Sequence, residues 1–499
     1  MNFRKFLLAV SIAFGCLLIS CSGQPKPPGP CTVNCPGGNA TLSLTLVAAP
    51  LTPPPGTNLL SFRADLNTIT LSPSSGAAVN VPLNSATFSV DLTRLTSDSV
   101  FLGFSATVPA GTYSSIAISL SNPAVTFCTQ TQGATGCAAG SVATVTGASA
   151  APSISSLPFP LTLSTNQKTG LAIQVNLQAA LSISASQVVT AVSLSAANVL
   201  SAKSLPPTTS NLGANQLDFV EDVTGVVTAL NAATQSVTVK TATRGSLTAT
   251  ANSSTVFSPN CTSFNLGLSF SACVAQGQVA SVDLALNSDG SFTLLEYDPL
   301  AITTGDWIEG IVTANASSPT QFNLVTNDLV LATTNSLIGS SLALGAPANL
   351  TLANAKPFLV DTKGLTVPVN NFGGTDASIL LPGQTVLVHV TAFTAASGST
   401  LASASVDTLY LRFTRVSGNV AATGTQASFN LQSLPTFLGI STQPLVEITQ
   451  GTPPANPVTN FDGVSSGTGL SNPQVVSIRA LYFGQGTSMP FSAAKVRVH

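Results

Sequence analysis

Apolar residues recur at every second position through most of this chain, and few stretches stay free of Gly, Pro and β-branched residues long enough to make a helix. Leu42, Leu44 and Leu46, and later Ile116, Ile118 and Leu120, alternate with small or polar residues, as half-buried strands do. Turn chemistry punctuates them at short intervals: Pro53-Pro54-Pro55-Gly56, Ser72-Pro73-Ser74-Ser75-Gly76 and Pro109-Ala110-Gly111. Many short strands with regular turns predict an all-β protein of sandwiches or barrels. A length of 499 residues predicts several such domains.

Past Leu18 the apolar residues are broken every few positions by Ser, Thr, Asn or Gly, so no segment reaches the roughly 20 residues that span a bilayer. Only 7% of residues are charged and the net charge is −2, so Ser, Thr, Asn and Gln carry solubility. The 16 Lys and Arg are scattered singly. Nucleic acid is therefore not an expected partner.

The N-terminus reads as an address. Arg4 and Lys5 supply charge, Phe6 to Leu18 an apolar run, and Leu18-Ile19-Ser20-Cys21 closes it with a small residue before the cysteine. An ordinary secretory signal is the plainer alternative. The pattern resembles the signal peptide of bacterial lipoproteins, spanning residues 1–20. That resemblance implies that Cys21 is acylated and that acyl chains anchor the protein to the cell envelope. Ser22 and Gly23 contain no acidic retention signal, which points to the outer membrane. Residues 21–40, dense in Pro and Gly, read as a tether.

Beyond Cys16 and Cys21, six cysteines fall into three close pairs: Cys31 with Cys35, Cys128 with Cys137, and Cys261 with Cys273. Proximity favours three local disulfides, which an oxidising compartment would preserve. Thiolate metal binding is the alternative. The spacings are not those of zinc knuckles and no histidine lies nearby, so no metal or cofactor is expected.

A first domain is placed at 41–203 and a linker at 204–217. Within the domain, Val90-Asp91-Leu92 followed by Val108-Pro109-Ala110-Gly111-Thr112-Tyr113 resembles a domain of unknown function common at the N-terminus of bacterial lipoproteins. The resemblance implies a small β-sandwich, similar to transthyretin-like and carbohydrate-binding-like modules, and brings no catalytic residues. The insert holding Cys128 and Cys137 departs from the simple pattern.

The rest of the chain repeats weakly. Strands beginning at Val223, Ile308 and Val416 each carry a glycine (Gly225, Gly310, Gly418), then a polar turn and a returning strand. Further strand pairs follow from Gly277, Gly383 and Pro473. A glycine inside the first strand fits a bend where a small barrel closes. These units resemble an OB-like β-barrel domain of unknown function repeated in bacterial exported proteins, whose pattern is Gly-x-Val and later Gly-Gln-x-Val. Modules are placed at 218–300, 301–412 and 413–499. The third has Asn472-Pro473-Gln474 in place of Gly-Gln.

Candidate chemistry is sparse. His389 lies in an alternating strand and reads as an edge or surface position, and His499, the last residue, reads as a frayed end. Asp218, Glu221 and Asp222, with Glu296, Asp298, Asp306 and Glu309, either converge on a calcium ion between modules or stand as solvated linker charge, the favoured reading. Asn287-Ser288-Asp289-Gly290 reads as a hairpin turn. Trp307, the single tryptophan, is assigned to a core or interface in preference to a ligand platform. The expectation is an elongated, lipid-anchored envelope protein with a non-catalytic binding, adhesion or scaffold role, its partner an envelope protein or a glycan. A carbohydrate-binding surface lipoprotein is the alternative, and a glycosidase using paired carboxylates comes third.

Overall fold

In the computed structural model the described residues are 38–499 except 52–57, 130–134, 138–139, 317, 354–355, 364, 366, 368–371, 373, 441, 450–458 and 485–489. Cys21, Cys31, Cys35 and most of the tether lie outside them. None of the helices among the described residues is long and apolar enough to cross a membrane.

The first module is a β-sandwich. One sheet orders its strands Leu200–Leu205, Lys168–Asn176, Asn39–Ala49 and Val100–Pro109. The other is built on the long antiparallel pair Asn58–Pro73 and Gly111–Cys128. Alternation does the work: Leu42, Leu44 and Leu46 from the first sheet share one core with Phe62, Ile69, Ile116 and Ile118 from the second. The Pro-Ala-Gly-Thr-Tyr turn has a physical reason. Tyr113 is buried and its hydroxyl donates to the Pro109 carbonyl at 2.7 Å, locking the corner between two strands.

Three five-stranded OB-like rings follow. The first uses Gln216–Asn231, Ser236–Lys240, Ser246–Thr250, Val279–Asn287 and Phe292–Ala301. The second uses Trp307–Val312, Gln321–Val330, Pro347–Leu352, Thr385–Thr394 and Ala402–Arg412. Thr414–Val420, Ser428–Gln432, Leu445–Ile448, Val475–Tyr482 and Phe491–Val498 form the third. In each, the first strand pairs with the second and fourth, the fourth with the fifth, and the third closes the ring by pairing parallel with the fifth. The third ring is the loosest, its first two strands joined by only Asn419↔Gln432 and Val420↔Leu431.

The repeat glycines are explained by close approach. A Cβ on Gly225 would sit 2.3 Å from the Lys240 carbonyl oxygen, one on Gly310 2.5 Å from that of Val325, and one on Gly418 2.9 Å from that of Gln432. Each lets the second strand curl tightly against the first. A second device recurs three residues into the turn before the fourth strand. The side-chain carbonyls of Gln278, Gln384 and Gln474 accept the N–H of Ala275, Leu381 and Ser471 at 2.8, 2.8 and 2.7 Å. The third module thus keeps the glutamine clamp although Pro473 stands where the others have glycine.

The sandwich and barrels do not form an elongated string. Residues 37–499 make one compact unit. Trp307 packs with Val226, Val279 and Leu300 of the first barrel and with Tyr410, whose hydroxyl donates to the Leu300 carbonyl at 2.9 Å. The linker is strapped to the third barrel through Gly463 N–H to Thr209 O, 2.9 Å. The Cys128 loop reaches over both distal barrels: Gly136 N–H bonds Phe437 O at 2.7 Å and Cys137 N–H bonds Thr313 O at 2.6 Å.

Candidate functional site: a buried ionic junction

The strand faces that a lone barrel would turn to water are, at the centre of this molecule, turned to one another. Asp91, Asp98, Asp218, Glu221, Asp222, Asp283, Glu296, Asp298, Asp306, Glu309, Asp328 and Asp361 are all buried, twelve of the 18 acidic residues in the chain. The reading of 218–222 and 296–309 as solvated linker charge is therefore corrected. These segments are strands or strand ends, and neighbouring modules cover them.

Asp222 is the centre. It occupies a β-bulge between Val220 and Val223 with φ 54°, a left-handed conformation that Asp tolerates better than most residues. Arg412 of the second barrel reaches its Oδ1 at 2.5 Å, Lys363 lies at 3.5 Å, Arg94 of the sandwich reaches Oδ2 at 3.3 Å, and Arg415 of the third barrel also pairs with it. Around this core Arg94 pairs with Glu309 at 2.5 Å, Arg415 with Asp98 at 2.8 Å, Lys363 with Asp283 at 2.5 Å, and Arg412 with Asp361. Glu221 takes Arg479 at 2.9 Å and Lys495 at 2.6 Å. Asp328 joins the network through Arg94 at 3.6 Å and Arg244 at 2.6 Å, so the seven cations Arg94, Arg244, Lys363, Arg412, Arg415, Arg479 and Lys495 face the seven anions Asp98, Glu221, Asp222, Asp283, Glu309, Asp328 and Asp361.

Local structure explains the sandwich's contribution. Asp91 accepts the N–H groups of Phe62 and Thr93 at 2.9 and 3.0 Å, which folds the following residues into a short 3₁₀ turn, Arg94–Thr96. Arg94 and Asp98 project from that turn into the junction. Arg497 fastens it from the third barrel by donating to the carbonyls of Leu95 and Asp98 at 3.2 and 2.8 Å.

Electrostatics splits the carboxyls into two sets. Burial alone would raise Asp222, but Arg412, Arg415, Lys363 and Arg94 outweigh it and hold the group well below the usual range. Asp98 and Asp283 are lowered against burial in the same way, by Arg415 and Arg479 and by Lys363 and Arg479. Burial wins at Glu296, which Asp283 and Asp298 push further up, and at Asp298, pushed up to about 6. Asp298 accepts from Ser258 and from Asn260 at 2.9 Å. Glu296 Oε1 has no partner.

Among the described residues no group of three His, Cys, Asp or Glu side chains is arranged to hold a metal ion. Of the acids proposed as calcium ligands, Asp218, Glu221, Asp222, Asp298, Asp306 and Glu309 are engaged instead by Arg, Lys or hydrogen-bond donors. Asp306, for example, accepts the N–H groups of Ala332 and Ile338 at 2.7 and 2.8 Å. Sequence reasoning missed the basic half of the junction. Its signal was present in Arg412 and Arg415 at the junction of two modules and in Lys495 and Arg497 on one face of a strand.

The edge reading of His389 and the frayed-end reading of His499 are corrected. His389 is half-buried in the fourth strand of the second ring, paired on both sides, with Nδ1 2.8 Å from Asp407 and its ring against Trp307. It is not on an edge strand. His499 is no frayed end: its N–H bonds Val475 O at 3.0 Å and Nε2 lies 2.9 Å from Ser477 Oγ. This Ser–His contact is unsuited to nucleophilic chemistry. Ser477 is fully buried, and burial, with Arg497 and Lys203, pushes the imidazole down to about 3. Cys128 pairs with Cys137 and Cys261 with Cys273, with Cα separations of 5.6 and 5.4 Å. Asn287 to Gly290 form the turn joining two strands, with Asn287 N–H bonded to Ser291 O at 2.9 Å.

Comparison with protein families, with curated proteins and with solved structures finds no match to this chain.

Proposed function

We propose that this protein is a lipid-anchored component of the bacterial cell envelope that acts as a rigid, non-catalytic scaffold or adhesion platform. One observation carries the reading: the charges that a binding or catalytic surface would ordinarily display are used to weld a sandwich and three barrels together. A junction of seven cations and seven anions drawn from all four modules ties them together, because removing one partner of a buried pair leaves an uncompensated charge. What faces solvent is mainly Ser, Thr, Asn and Ala, a surface suited to contact with neutral polymers or other envelope proteins. The non-catalytic part rests on the histidines, one tied to Asp407 and one, His499, with its imidazole pushed down to about 3, and on the engagement of Asp283 by Lys363 and Arg479.

Three measurements test this. Metabolic labelling with a radioactive fatty acid followed by fractionation should place the wild-type chain, labelled, in the membrane fraction and Cys21→Ser, unlabelled, outside it. Equal labelling of both would remove the anchor. Proximity crosslinking on intact cells should then recover a defined envelope neighbour with the wild-type chain, and recovery of none would remove the scaffold reading. Turnover of envelope polysaccharide by the purified protein would contradict the non-catalytic reading.

A further inference from the structure

Glu296 raises a question that the scaffold reading leaves unanswered. Glu296 is 9% exposed and lines a cavity of about 380 Å³ where the three barrels meet. That volume lies at the lower end of small-ligand sites, about 300–1,000 Å³.

The other walls define the ligand's chemistry. Lys363 and Arg479 line the cavity, yet Asp283 and Glu221 already neutralise them at 2.5 and 2.9 Å, so an anion gains no free cation. A cation finds Asp283, the ionised carboxylate on the wall, already held by Lys363 and Arg479. Phe219 supplies an apolar wall and Gln216 an amide. Burial, reinforced by Asp283 and Asp298, keeps the Glu296 carboxyl protonated well above the ordinary range, so it both donates and accepts a hydrogen bond. Such a wall matches hydroxyl groups.

We propose that this cavity binds a neutral polyhydroxylated ring, a free monosaccharide or the terminal sugar of a glycan. The proposal goes beyond the scaffold reading and stands or falls independently of it. The site lies against the first, fourth and fifth strands of the first barrel, with Lys363 from the second barrel and Arg479 from the third completing it, so it exists only when the modules are assembled.

The test uses the full-length chain in a sugar-free detergent. Saturation-transfer NMR with glucose, galactose, mannose and N-acetylglucosamine at millimolar concentration should give a saturable signal for at least one. Ser254→Trp, at an exposed position on the cavity rim, should abolish it with an unchanged melting temperature. Glu296→Gln, which keeps a neutral hydrogen-bonding group, should bind within about threefold of wild type, whereas Glu296→Ala should weaken binding about tenfold, as loss of one buried hydrogen bond does. A glycan array with the same variants separates the two sources. Binding by free sugars alone assigns the first, and binding by immobilised glycans alone assigns the second. Silence in both, or binding that survives Ser254→Trp, overturns the proposal.

Discussion

Asp222 holds two barrels and the sandwich to the first barrel through a single carboxylate. Removing its charge leaves Arg412, Arg415, Arg94 and Lys363 with too few anions in a buried setting, which costs about 3–5 kcal/mol. Asp222→Asn should therefore lower unfolding free energy by that amount in urea titration, while Asp289→Asn, on an exposed turn, should change it by less than about 0.5 kcal/mol. Tyr113→Phe removes one buried hydrogen bond without changing shape and should cost about 1 kcal/mol. Glu221, Asp222 and Glu309 were legible in the sequence as members of two local acidic groups, but Asp98, Asp283, Asp328 and Asp361 were not, and neither was the burial of any of them. Alternation reports which residues share a face. It does not report what covers that face, and Asp218, Glu221 and Asp222 look the same whether water or Arg412 lies opposite.

At the scale of strands and turns, more was legible. The repeat glycines and the glutamine before each fourth strand mark real constraints, and the third module's departure at Pro473 leaves the clamp intact. Gly310→Val should destabilise by at least about 2 kcal/mol, because its Cβ would meet the Val325 carbonyl at 2.5 Å, and chemical denaturation would measure this. Gly290 is constrained twice. It has φ 83°, and a Cβ there would lie 2.1 Å from the ring of Phe104 in the sandwich. Read from sequence it was only a hairpin turn. Its interdomain role depends on a contact with a residue far away in the chain. The parallel closure of third on fifth strand was hidden for the same reason: it joins Ala249 to Phe292 and Ala348 to Ala402, pairings that no local periodicity encodes.

Over the whole molecule the two carboxyl populations pull stability in opposite directions with pH. Asp98, Asp222 and Asp283 are lowered, so their contribution is present above about pH 4 and is lost as pH falls below it. Glu296 and Asp298 are raised, so the folded state binds more protons than the unfolded one from about pH 4 upward. Their contribution declines as pH rises, for Asp298 through about 6. Melting temperature should therefore peak near about pH 4–5 and fall on both sides, and Asp298→Asn should flatten the upper limb. The arrangement of modules was the least legible property, because the expected string and the observed cluster share every strand. They differ only in where charged faces point. Small-angle X-ray scattering on the chain from Gly38 separates them most directly. A single welded body of this length predicts a radius of gyration of about 23 Å, unchanged in high salt because buried pairs are weakly screened. A radius well above that compact value, as modules strung end to end would give, would contradict the welded junction.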